Sequence, residues 1–279
     1  MLKKDLKFIF FGTPDVASET LEILKENGYI PSLIITSTDK QQGRKMLITP
    51  PQVKIWAEKN NIKYLQPEKL EEVFINELKK ENTDLFIIVA YGKILPENMI
   101  NLPRLGSINI HYSLLSKYRG ASPVESAILN GDKETGITIQ KMKFKMDSGP
   151  IITQKKTNIL PNEKAPELRK RLIKIGGELL VKTLPNYIEN KIKLISQNEN
   201  EASYCKKIKK EDGLINLDDN DIKNYNKFRA YNFWPRTFFF KNEKRIIITE
   251  AKLENNKFII KKVLPEGKKE INWEEFKKF

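Results

Sequence analysis

The sequence predicts an α/β fold, a doubly wound and mostly parallel sheet, followed by a small antiparallel β module. Three observations carry this reading. Short apolar runs alternate with segments of helical periodicity through the first half of the chain. A long helical segment, residues 167–190, then closes that pattern. Farther on the pattern changes to strands separated by short Asn, Lys and Glu turns.

The elements follow in order. LKFIFFG (residues 6–12) is an apolar run of aromatic and β-branched residues stopped by Gly12-Thr13-Pro14, which makes a first strand and turn rather than a signal segment. Residues 15–28 place Val16, Leu21 and Leu24 at helical spacing and end on Gly28. Strand (30–38), helix (51–61), short strand (62–67), amphipathic helix (68–82) and apolar strand (84–92) come next. GSINIHYSLL (106–115) reads as a strand, 122–131 as a helix and 135–142 as a strand. Leu168, Leu172, Ile175, Leu179 and Leu180 give the long helix its apolar face. The expected division is a catalytic domain over 1–189, a linker over 190–206 and a C-terminal domain over 207–279. In the last, a helix spans 220–232 and strands fill 236–267.

Composition narrows the function. Hydrophobic residues are 39% and charged residues 31% of 279, which suits a soluble, cytoplasmic protein. The single cysteine, Cys205, leaves neither an internal disulfide nor a cysteine-based metal cluster, and no metal is expected. The lone Gly12 at the first turn is no dinucleotide fingerprint, and no phosphate-cradling G-x-x-x-x-G-K-[ST] loop occurs. A net charge of +14 points to a polyanionic partner, although 42 Lys against 8 Arg also signals compositional bias. Residues 206–279 hold 19 basic and 12 acidic side chains, so half of the excess lies there.

Ligands of open α/β sheets bind beyond the carboxyl ends of the strands. Gly12, Tyr91 and His111, the only histidine, fall at such ends, and Asp147 follows the strand 135–142. Asn109 and His111 are two apart on one strand, so their side chains share a face. Adjacent strand ends would bring Asp147 to them, and the three make a candidate catalytic cluster.

FFGTPDVASETLEIL, AYGKILP, GSINIHYSLLSKYRGASPVESAILNGDKETGITIQKM, MDSGPII and, downstream, RAYNFWPRTFF occur in collinear order over nearly the whole chain. Together they resemble the folate-dependent formyltransferases, and FGTP, the Gly-Arg-Lys loop and AYGKILP resemble the methionyl-tRNA formyltransferase branch. The resemblance implies a Rossmann-like catalytic domain and an OB-like β-barrel, here shortened after IIITEAKLENN. It implies 10-formyltetrahydrofolate as donor and initiator methionyl-tRNA as acceptor, with Asn109, His111 and Asp147 catalytic.

Folate-binding positions carried over are Ala90, Tyr91 and Gly92, and Ser113, Leu114, Leu115 and Ser116, the last standing where the family has proline. The tRNA-binding positions are Lys40, Arg44 and Lys45 in the loop 39–51, and Lys206, Lys207, Lys209 and Lys210. Trp234 is expected in the core of the C-terminal module. A monomer is expected. Two other functions stay open: a folate-dependent formyltransferase for a nucleotide-linked amino sugar, and a noncatalytic RNA-binding protein that keeps the fold.

Overall fold

The computed structural model describes residues 6–43 and 46–278. They form two compact units, one of residues 6–43, 46–116, 137–155 and 172–202, the other of residues 117–136, 156–171 and 203–278. The order begins β1 (Phe8–Gly12), α1 (Asp15–Glu26), β2 (Leu33–Ile35), β3 (Lys40–Gln42), β4 (Leu47–Thr49), α2 (Gln52–Lys59), β5 (Tyr64–Leu65) and α3 (Glu72–Lys79). It continues with β6 (Leu85–Val89), α4 (Glu97–Ile100), β7 (Ser107–His111), β8 (Arg119–Gly120), α5 (Pro123–Leu129), β9 (Glu134–Lys141), β10 (Ile151–Asn158) and α6 (Ala165–Ile188). Among the described residues no helix is long and apolar enough to cross a membrane.

The main sheet has seven strands in the order β10-β9-β7-β6-β1-β2-β5. β1 pairs in parallel with both β2 and β6, β2 with β5, and β6 with β7, whereas β9 runs antiparallel to β7. The chain therefore builds outward from β1 in one direction and returns to build the other side from β6. That reversal creates the crevice where such sheets take ligands. Every residue of β1 and β6 is buried, which explains continuous apolar runs instead of alternation. Ile9, Phe11, Leu33, Phe86 and Ile88 anchor one side of this core. At the first turn a Cβ on Gly12 would press on the Ala17 side chain, so only glycine lets α1 start so close to β1.

In the second unit β8 pairs in parallel with β11 (Tyr204–Cys205), a strand inside the stretch that reads from sequence as linker. After α7 (Asp221–Ala230) come β12 (Phe238–Lys241), β13 (Lys244–Glu254), β14 (Lys257–Pro265), β15 (Ile271–Asn272) and α8 (Trp273–Phe276). The four strands form an antiparallel sheet in sequence order, the small C-terminal β domain that was expected. Tyr225 and Phe228 of α7 pack with Phe239, Ile246, Ile248, Ile260, Val263 and Phe276.

Four further features differ from the sequence reading. The loop 39–51 contains the β3–β4 hairpin, paired Lys40 to Thr49 through Gln42 to Leu47. Helix 68–82 is trimmed to α3, and β10 was not anticipated. Only the first two residues of β10, Ile151 and Ile152, are buried, so its sequence lacks the strand signal of the central positions. Trp234 is not in the core. It is half exposed and, with the exposed Phe233, borders a groove of about 280 Å³ that Lys207 also lines. Phe228, Tyr231, Phe238 and Phe239 are buried in its place.

Candidate active site

β7 sits between β6 and β9, and its carboxyl end carries the cluster. Register places Asn109 opposite Gln140 and His111 opposite Thr138. Directly opposed residues share a face, so these four side chains line one side of the sheet. Alternation puts Ile108 and Ile110 on the other side, where both are buried.

Asp147 lies in the turn after β9 and completes the group. Its Oδ2 is 3.6 Å from Nδ1 of the buried His111. Its Oδ1 accepts from Gln140 Nε2 at 2.8 Å and, at the outer limit, from Asn109 Nδ2 at 3.5 Å. The two oxygens are thus divided, one toward the imidazole and one toward neutral amides. The turn is fixed from outside by Gln197, whose Nε2 donates to the carbonyls of Asp147 (2.8 Å) and Gly149 (2.7 Å). A Cβ on Gly149 would overlap the Lys141 carbonyl, so the Asp-Ser-Gly turn closes on β9 only with glycine there. Asp147 itself has φ of 46°, a left-handed conformation that aspartate tolerates better than most residues.

The segment after β7, Ser113–Ser116, is held against the sheet by Thr138. The Thr138 hydroxyl donates to the Ser113 carbonyl at 2.7 Å and accepts from Leu115 N at 3.0 Å. Gln154 Nε2 of β10 donates both to Thr138 Oγ1 (2.9 Å) and to the Leu115 carbonyl (2.7 Å). Ser113, Leu115 and Ser116 are buried, and Leu114 is the partly exposed member.

After β6, Ala90 (φ 48°) and Gly92 (φ 84°) are exposed, whereas the Tyr91 ring turns into the core against Phe11. Burial pushes the Tyr91 phenol up to about 12. The Tyr91 carbonyl accepts from Thr13 Oγ1 at 2.9 Å, which ties the carboxyl ends of β1 and β6 together.

The structure therefore brings Asn109, His111 and Asp147 together and sets the 90–92 and 113–116 segments at the ends of adjacent strands. Lys40 is exposed on β3, while Arg44 and Lys45 lie outside the described residues. Lys206, Lys207, Lys209 and Lys210 are exposed in the second unit. Sequence reasoning missed Thr138, Gln140, Gln154 and Gln197. The signal for the first two was present: Thr138 and Gln140 are polar at period two within an apolar strand, which puts both on one face.

The arrangement suits transfer of an acyl-like group to an amine. An amide N–H and an imidazole on one face can meet a developing oxyanion, and a carboxylate beside the imidazole can orient it.

Residues 6–184 match the family described as formyl transferase, and residues 207–259 match the formyl transferase C-terminal domain. A methionyl-tRNA formyltransferase of Caldicellulosiruptor saccharolyticus is 40% identical over 256 residues, covering 90% of this chain and 82% of the relative. In three dimensions the chain is similar to a methionyl-tRNA formyltransferase from Clostridium thermocellum (TM-score 0.63, 17% identity, 93% of this chain and 98% of that one). It is also similar to an N-formyltransferase from Helicobacter canadensis in complex with folinic acid and dTDP-3-aminofucose (TM-score 0.68, 23% identity, 90% and 88%). These two likenesses bear on the fold alone. With two matched segments in the expected order and a 40% identical relative spanning most of it, the chain belongs to the formyl transferase family.

Proposed function

We propose that this protein transfers a formyl group from 10-formyltetrahydrofolate to the α-amino group of methionine on initiator tRNA. The observation that carries the reading is the Asn109–His111–Asp147 cluster at a strand end, in a chain 40% identical to a methionyl-tRNA formyltransferase over most of its length. The α-amino nitrogen attacks the formyl carbon and forms a C–N bond. Negative charge collects on the formyl oxygen, where Asn109 Nδ2 and a protonated His111 donate. Asp147 orients His111 through Nδ1. Collapse of the intermediate breaks the bond from carbon to the folate nitrogen, which leaves with a proton while the amine gives one up. His111 and Asp147 are the groups placed to move that proton.

The folate donor is assigned to the segments Ala90–Gly92 and Ser113–Ser116. Lys40, Arg44, Lys45, Lys206, Lys207, Lys209 and Lys210 are assigned to tRNA phosphates. The domain division 1–189, 190–206 and 207–279, a monomeric state and a cytoplasmic site of action belong to the same proposal. A nucleotide-linked amino sugar as acceptor has only distant fold likeness behind it.

The experiment is a formyl-transfer assay offering charged initiator tRNA, charged elongator tRNA and a nucleotide-linked amino sugar in parallel. Transfer to the initiator alone is expected, and transfer to the sugar alone would overturn the acceptor assignment. His111→Ala should keep the fold by circular dichroism and lose turnover by about two to three orders of magnitude. Near-normal turnover would remove His111 from the mechanism.

A further inference from the structure

The Ser113–Ser116 segment contains no proline, a residue that would fix one backbone torsion outright. The structure holds the segment by another means. Thr138 Oγ1 makes three hydrogen bonds: it donates to the Ser113 carbonyl and accepts from Leu115 N and from Gln154 Nε2. One donor and two acceptor sites are all that a hydroxyl has. Gln154 adds a second bond, to the Leu115 carbonyl at 2.7 Å. Two carbonyls and one amide of Ser113–Leu115 are thereby tied to β9 and β10, and within Ser113–Ser116 Leu114 alone keeps partial exposure.

The register gives this clamp its reach. Thr138 lies opposite His111 on the sheet, so the residue that fixes the segment also flanks the imidazole. Thr138 is fully buried, where an unpaired hydroxyl is costly, and each of its three bonds ends on this segment or on Gln154. An apolar side chain of the same shape would fill the position but take the acceptor from Leu115 N and the donor from the Ser113 carbonyl.

We propose that Thr138 and Gln154 are positioning residues for the formyl donor, holding the Ser113–Leu115 backbone in the form that receives the folate. The proposal rests on the assignment of that segment to folate. Its consequence is selective: loss of the clamp weakens the donor and spares the acceptor.

The test uses the full-length enzyme, with tetrahydrofolate binding by calorimetry and steady-state KM for 10-formyltetrahydrofolate and for charged initiator tRNA. Thr138→Val keeps the shape and removes the hydroxyl; Gln154→Leu removes the outer bonds at an exposed position that leaves the core intact. Thr138→Ser retains the hydroxyl as the conservative control. Losing three hydrogen bonds in Thr138→Val, or two in Gln154→Leu, should raise the tetrahydrofolate Kd and the donor KM about tenfold, with tRNA KM changed by less than about twofold and Thr138→Ser near wild type.

Unchanged tetrahydrofolate binding in folded Thr138→Val and Gln154→Leu overturns the proposal, as does an equal rise in both KM values. Should Thr138→Val fail to fold, Gln154→Leu decides alone. Wild-type protein that binds no tetrahydrofolate overturns the folate assignment itself. Wild-type protein that binds it but formylates no tRNA overturns only the acceptor, and the clamp is then judged on Kd.

Discussion

Tyr91 presents its backbone at the strand end and hides its ring. The hydroxyl is buried without a hydrogen-bond partner among the described residues, and the ring meets Phe11 edge-on at 5.5 Å. Burial alone raises the phenol to about 12, so it stays neutral at any working pH. An unsatisfied buried hydroxyl costs about 1–3 kcal/mol, whereas the ring contributes packing that phenylalanine would keep. Tyr91→Phe should therefore unfold at a higher temperature by the equivalent of about 1 kcal/mol, with the tetrahydrofolate Kd unchanged. Thermal unfolding and calorimetry check the two halves together. Weaker tetrahydrofolate binding would mean that the hydroxyl reaches the ligand, and the inward ring would then be one conformation of two.

At the scale of elements, the second unit depends on how α7 meets the β13–β14 hairpin. Asp221 opens α7, and its Oδ1 accepts from Phe258 N at 2.9 Å while Oδ2 lies 3.1 Å from Lys257 Nζ. The backbone N–H of Phe258, then Lys257, holds the Asp221 carboxyl below its ordinary value. A carboxylate whose folded pKa is depressed adds stability above its unfolded pKa, and that stability is lost as pH falls through the folded value. The unfolding temperature of wild type should thus fall more steeply than that of Asp221→Asn on acidification, the two curves converging in acid. Parallel curves would show that the contact adds no pH-dependent stability. The elements that were legible in the sequence are those whose burial is uniform, such as β1 and β6, or periodic, such as α1 and α6 with Leu168, Leu172 and Leu180 buried. β10 was not legible because tertiary pairing, rather than its own polar residues, makes it a strand. Asn109, His111 and Asp147 could be read because polar residues at strand ends stand out. Gln154 and Gln197 could not, since a glutamine reaching a backbone carbonyl has no local signature. Trp234 misled because a large aromatic beside proline resembles a core residue, and only the structure shows which rings fill that core.

For the whole molecule the open quantity is how the net charge of +14 is used. Most lysines in the structure are exposed, and many pair with nearby carboxylates, as Lys145 does with Glu199 and Lys262 with Glu250. Such exposed pairs add little to stability, and an external polyanion is the use of the surplus that can be tested. Lys206, Lys207, Lys209 and Lys210 lie within five residues, all exposed. If they meet tRNA phosphates, each contact releases counterions and adds close to one unit to the slope of log K against log salt. Four contacts correspond to a slope of about −3 to −4. Replacing the four lysines with glutamine should lower the affinity for initiator tRNA and flatten the slope by about that amount. Tetrahydrofolate binding should stay as it was, because the segments proposed for folate lie in the other unit. A slope that is steep in wild type and unchanged in the variant would move the phosphate contacts to other basic residues. A slope already flat in wild type would return the +14 to composition, since a charge surplus that releases no counterions on binding is doing nothing for the tRNA.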